Sequence, residues 1–165
     1  VNLSFNRGNF THKIGLDQIN RSTFYYHFED IYDLLEKVLV EVLSVNLESQ
    51  QYQDEQLSEE ALVKIFVAIT TFQKSLSPRC HRGYEETIAR IIREQLEIIL
   101  YTMLLNQHGT EEKETLKLTA VLLSWGLYGA SVEWRRKGTE IPPEAFIKGA
   151  LPFIMRGVHL NGKPD

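Results

Sequence analysis

Between Asn20 and Phe28 the chain reads Asn-Arg-Ser-Thr-Phe-Tyr-Tyr-His-Phe, a helix-capping residue followed by an arginine, two hydroxyls, two tyrosines and a histidine. On a helix, Phe24 and Phe28 lie four apart on one face and can anchor, while Arg21, Ser22, Tyr25 and Tyr26 sweep round the other sides. That division fits a helix whose first residues enter the major groove of a duplex and whose flanking hydroxyls and cations hold phosphates. Arg21 is the natural reader of a guanine edge through paired bonds to O6 and N7, and Ser22 and Thr23 bond bases or phosphate. Tyr25, Tyr26 and His27 are better placed to grip backbone. Asn20, Arg21, Ser22, Thr23, Tyr25, Tyr26 and His27 are therefore the candidate DNA-contacting residues. Composition alone leaves a second reading open, an aromatic core segment carrying a solvated arginine.

Such residues need a scaffold, and the rest of the chain reads as helices. Prolines are absent before Pro78 and return at Pro142, Pro143, Pro152 and Pro164, so long stretches are free to be helical. Ile31, Leu35, Val38, Val42 and Val45 recur at spacings of four and three, widened by Leu34 and Leu39, which predicts an amphipathic helix over Glu29–Gln51. At about 1.5 Å per residue it would span about 34 Å. Ser58, followed by Glu59 and Glu60, is a plausible N-cap for a helix presenting Leu62, Ile65, Phe66, Ile69 and Phe72 and ending near Leu76. Pro78 steers the residue before it away from α geometry, so Leu76–Gly83 is expected to be a turn.

From Tyr84 the helical period continues through Ile88, Ile92, Leu96, Ile99 and Met103 until Asn106 and Gly109 end it. Thr110 is expected to cap a further helix running to Gly138, a good terminator after the cationic turn Arg135, Arg136 and Lys137. A last helix should open at Pro142–Pro143, bend at Pro152 and continue to about Leu160. Nothing alternates with period two for long enough to build a sheet. The expected fold class is all-α, an antiparallel bundle with short linkers.

The 165 residues suffice for a substantial core without disulfides. The single cysteine, Cys80, forms no internal bridge and fits a reducing, cytoplasmic setting. No apolar run approaches the roughly 20 residues needed to cross a bilayer, and Val1–Phe10 does not resemble a signal peptide. Because the chain lacks an initiator Met, a few natural residues are expected before Val1. The net charge of −4 is unevenly spread: three basic residues against Asp17 up to Phe28, a net of +2, and 15 basic against 21 acidic groups thereafter, a net of −6. A basic head on an acidic body is expected where only the head meets phosphate. Of Cys80 and the histidines, only Cys80 and His81 are close in sequence, and adjacent helical residues do not converge on a metal; neither metal nor cofactor is expected. Nor is an enzyme, because no nucleophile with its base, glycine-rich phosphate loop or Glu-x-x-His pair is present.

From Ile19 to Leu35 the chain resembles, nearly position by position, the helix-turn-helix signature of the TetR family of transcriptional regulators. In that signature a small-residue turn leads into S/N-R-x-T-F-Y-Y-H-F and a charged residue ahead of a leucine-rich fourth helix. The remainder matches in architecture only. The resemblance implies a helix-turn-helix head over residues 1–30 and a ligand-binding and dimerisation domain over 31–165. Two departures are visible. Val1–Gln18 supplies only fragments of two helices, so a stretch is expected to be missing near Thr11–His12, and Ile31 stands where the family carries a phosphate-reaching lysine.

The resemblance further implies a cavity among the middle helices for a small-molecule effector, for which Phe66, Tyr101 and Trp125 are the candidate lining residues. Ser124, Gly126, Gly129, Ala130 and Ser131 permit a close helix approach. With Phe146, Ile147, Ala150, Leu151, Ile154 and Val158 they are expected to make a two-helix homodimerisation seam, the alternative being a purely internal face. A dimer would set two recognition helices about 34–36 Å apart on a palindromic double-stranded operator. The expectation is a repressor released by its ligand; the alternative is a co-regulator or activator controlled by a protein partner.

Overall fold

A computed structural model describes residues 31–47, 52, 54–76, 78–109, 112–138 and 140–159. Among them every regular element is a helix: α1 (Ile31–Leu47), α2 (Glu59–Ser75), α3 (Pro78–His108), α4 (Lys113–Arg136), α5 (Pro143–Lys148) and α6 (Leu151–His159). The all-α expectation therefore holds.

Local chemistry sets several boundaries as expected. Ser58 is extended, and its Oγ accepts from the Ala61 backbone N–H at 3.1 Å, which satisfies one of the orphan donors of the first turn of α2. Gly109 and Gly138 have φ of +73° and +95°, the left-handed geometry that ends a helix at least cost in glycine. The Gly109 N–H returns to the Leu105 carbonyl at 2.8 Å and that of Gly138 to Arg135 at 3.3 Å.

Three boundaries depart from expectation. The predicted turn Leu76–Gly83 is helical from Pro78 onward, since a proline in a first turn forfeits an N–H that would have no partner there. The break falls instead at Tyr84, whose φ of −136° and ψ of 24° kink α3 just after Gly83. The helix predicted from Thr110 starts at Lys113, with Glu112 in the cap position and no side-chain cap bond; Thr110 itself lies outside the described residues. Pro152 does more than bend the last helix: α5 stops at Lys148, and α6 begins at Leu151, with Pro152 in its first turn, where no intrahelical N–H is required.

The core forms around α2, whose Leu62, Ile65, Phe66, Ile69 and Phe72 are fully buried and which packs against α1, α4, α5 and α6. Helices α3 and α4, joined by four residues, share the most extensive helix–helix contact among the described residues. On α1 the buried line is Leu34, Leu39, Leu43 and Leu47, with Val38 and Val42 only half-buried. Leu34 and Leu39, expected at the margin of the stripe, belong to its centre. Because α1 lies against both α2 and α3, the longer leucines fill the space between them and the shorter valines flank it.

Candidate functional site

The seven candidate DNA-contacting residues, Asn20, Arg21, Ser22, Thr23, Tyr25, Tyr26 and His27, lie outside the described residues. The structure begins at the helix that follows them. Its Glu36 is joined to α3 by Arg90, whose Nη2 donates to Glu36 Oε2 at 2.6 Å, while Nη1 donates to both oxygens of Glu94 at 3.2 and 3.3 Å. The bond to Glu36 is the leading cause that raises the Arg90 pKa above its ordinary value, against a smaller opposing effect of burial.

The three candidate ligand-lining residues lie on three different helices, each in its own surroundings. Phe66 is fully buried and stacks on Phe146 of α5, with ring centroids 6.2 Å apart and planes 13° from parallel. Tyr101 is half-buried against the core on α3. Trp125 is 57% exposed, with the Arg93 guanidinium 3.8 Å from its ring centroid and Tyr128 sharing the same cation at 5.8 Å. At 100° per residue, Trp125 points almost directly away from the line Leu116, Ala120, Leu127 and Trp134 that α4 buries.

Polar groups lie inside the body, two of which, Thr70 and Gln73, the sequence reading passed over. Thr70, Gln73, Ser124 and Ser131 are buried. Gln73 Nε2 donates to Ser131 Oγ at 3.0 Å, tying α2 to α4, and the Ser131 hydroxyl donates in turn to the Tyr128 carbonyl at 2.7 Å. Thr70 Oγ1 lies 2.9 Å from the carbonyls of Phe66 and Val67. The signal for Gln73 was its place seven and four residues after Phe66 and Ile69, on the stripe that faces the core.

The residues expected at the dimer seam are not all on one surface: Ala130, Phe146 and Ile154 are half-buried. Ser124, Ser131, Ile147 and Leu151 are buried within the protomer. Gly126, Gly129 and Ala150 are exposed, and a Cβ added at either Gly126 or Gly129 would meet no atom within 4 Å. The side chain of Val158 lies outside the described residues. Beside the two glycines the outer face of α4 carries Leu118, Leu122 (66% exposed) and Trp125; on α6, Phe153 is exposed at 76%.

Among the described residues no three His, Cys, Asp or Glu side chains gather to hold a metal ion, and no helix is long and apolar enough to cross a membrane. No family model, curated protein or solved structure matches the chain.

Proposed function

We propose that this chain is a TetR-like, dimeric transcriptional regulator that binds a palindromic DNA operator sequence-specifically and is released from it by a small molecule held in the helical body. The observation that carries this reading is one of continuity. The run Asn20–Phe28, with the residue types for base-edge and phosphate contact, leads directly into α1, whose buried leucines fasten it to α2 and α3. A ligand-driven shift of α2 or α3 would thereby carry α1 with it, and with α1 the run that precedes it in the sequence. By linkage, a ligand that weakens DNA binding is itself weakened by DNA to the same degree.

Dimerisation is supported by α4. A helix with apolar residues on two opposite faces has one face too many for a single protomer. Gly126 and Gly129 cost roughly 1 kcal/mol each relative to alanine, and a Cβ at either would meet nothing within 4 Å among the described residues, so a close approach by a second copy gives them a reason.

The direct test is selection of duplexes from a random pool, followed by an anisotropy titration over salt. Binding to a palindrome, with log affinity falling linearly with log salt, is expected. Arg21→Ala should cost about 1–3 kcal/mol and relax specificity, whereas Tyr25→Phe should weaken all sequences alike. Failure to enrich any palindrome, or equal operator affinity for R21A and wild type, overturns the reading. A stoichiometric foreign protein on the α4 face in place of a second copy would favour the partner-controlled alternative.

A further inference from the structure

We propose that the Glu36–Arg90 ion pair is a latch that fixes where the first turns of α1 sit on the body, and so sets the orientation from which α1 leads back to the residues before it. The pair is made by Nη2 of Arg90 on α3 and Oε2 of Glu36 on α1, 2.6 Å apart. By contrast, Lys37–Asp33, Lys64–Glu60 and Arg136–Glu133 each join residues of a single helix and cannot set one helix against another. Arg90 is also preset: Glu94, one turn further along α3, holds its other nitrogen and aims the fork at α1.

The position of the pair gives it leverage. Leu39, Leu43 and Leu47 clamp the later turns of α1 by burial, a non-directional force that leaves rotation and tilt weakly specified. Toward Ile31, Leu34 is the buried apolar anchor among the described side chains, and the directed bond to Glu36 adds orientation to that contact. Both side chains are about two-fifths exposed, so the latch is accessible to salt and opens without unpacking the core.

The functional half of this inference rests on the DNA-binding reading above; the mechanical half does not. Amide hydrogen exchange on the full chain separates them. Glu36→Gln and Arg90→Met should each speed exchange about five-fold in residues 31–38, with residues 39–47 and α2 nearly unchanged. Added salt should loosen the same turns in the wild type and not in Arg90→Met. The exchanged pair Glu36→Arg with Arg90→Glu should recover protection. Unchanged exchange, or acceleration spread evenly over α1, α2 and α3, would overturn the latch. With a duplex obtained by selection, both single variants should bind about three-fold more weakly at an unaltered salt slope, since phosphate contacts are untouched. Loosened turns with unchanged affinity would remove the coupling. A wild type that binds no duplex would remove the DNA reading and leave the exchange result to decide the latch.

Discussion

The two faces of α4 use similar residues for different ends. The inner face, Leu116, Ala120, Ser124, Leu127, Ser131 and Trp134, is buried and stitched by directed bonds, including Gln73 to Ser131 and Trp134 Nε1 to the Ile141 carbonyl at 2.7 Å. The outer face exposes the apolar Leu118, Leu122 and Trp125 beside Gly129, with the Arg93 guanidinium laid over Trp125. An apolar side chain therefore does not announce which contact it serves. The inner face has the polar bonds that specify one arrangement within a chain, whereas the outer face has the large exposed aromatics and glycines that suit association.

Substitutions on the two faces should separate stability from assembly, and the largest effect belongs inside. Trp134→Ala removes a buried indole, its bond to Ile141 and the ring beneath Lys74, and should lower unfolding stability by about 3–5 kcal/mol in urea denaturation. Leu122→Asp outside should leave the stability of the dilute protomer within about 0.5 kcal/mol. It should weaken self-association by about 2 kcal/mol, roughly thirty-fold in Kd, by sedimentation. Equal losses of protomer stability in the two variants would erase the distinction between the faces.

The glycines sharpen the comparison because they should respond with opposite signs. Gly126→Ala and Gly129→Ala each fill open space on the protomer and should stabilise it by up to about 1 kcal/mol in denaturation at concentrations where the chain is monomeric. In the proposed dimer the same methyls would stand in the path of a closely approaching helix and should raise the dissociation constant. Stabilisation accompanied by unchanged association would place the contact elsewhere on the surface.

How much of this was legible in the sequence follows from the kind of signal each feature leaves. The Ser58 cap and the glycine terminators were readable because their chemistry is local, a hydroxyl three residues from an N–H or a backbone that only glycine adopts freely. The helical start at Pro78 and the complete break at Pro152 were misjudged because proline is compatible both with a helix start and with its interruption, and neighbouring packing selects between them. On α1 the period was right but its centre was not, since two neighbouring helices, invisible in the sequence, decide which of Val38 and Leu39 points inward. Trp125 was the hardest to place: a tryptophan at helical spacing reads as core or pocket, and only the positions of α3 and Arg93 reveal it to be outside. The partnership of Gln73 with Ser131 spans 58 positions and leaves no trace in either neighbourhood.

The smallest expected effect lies where the two faces meet, at Tyr128. Burial is the leading cause that pushes its phenol above the ordinary value of 10.0; the charge of Glu85 adds to this, while Arg135 and Arg93 oppose it. A folded pKa above the unfolded one means that the folded chain keeps its proton longer. The associated stability is therefore complete below the unfolded value and is lost as pH rises through the folded value. Tyr128→Phe keeps the ring beside Arg93 and removes the titrating group. Urea midpoints measured from neutrality to about pH 11 should fall more steeply for the wild type than for this variant above about pH 10, and should run parallel below it. Parallel curves throughout would mean that the phenol at the border of the two faces is solvated like the outer one rather than desolvated like the inner one.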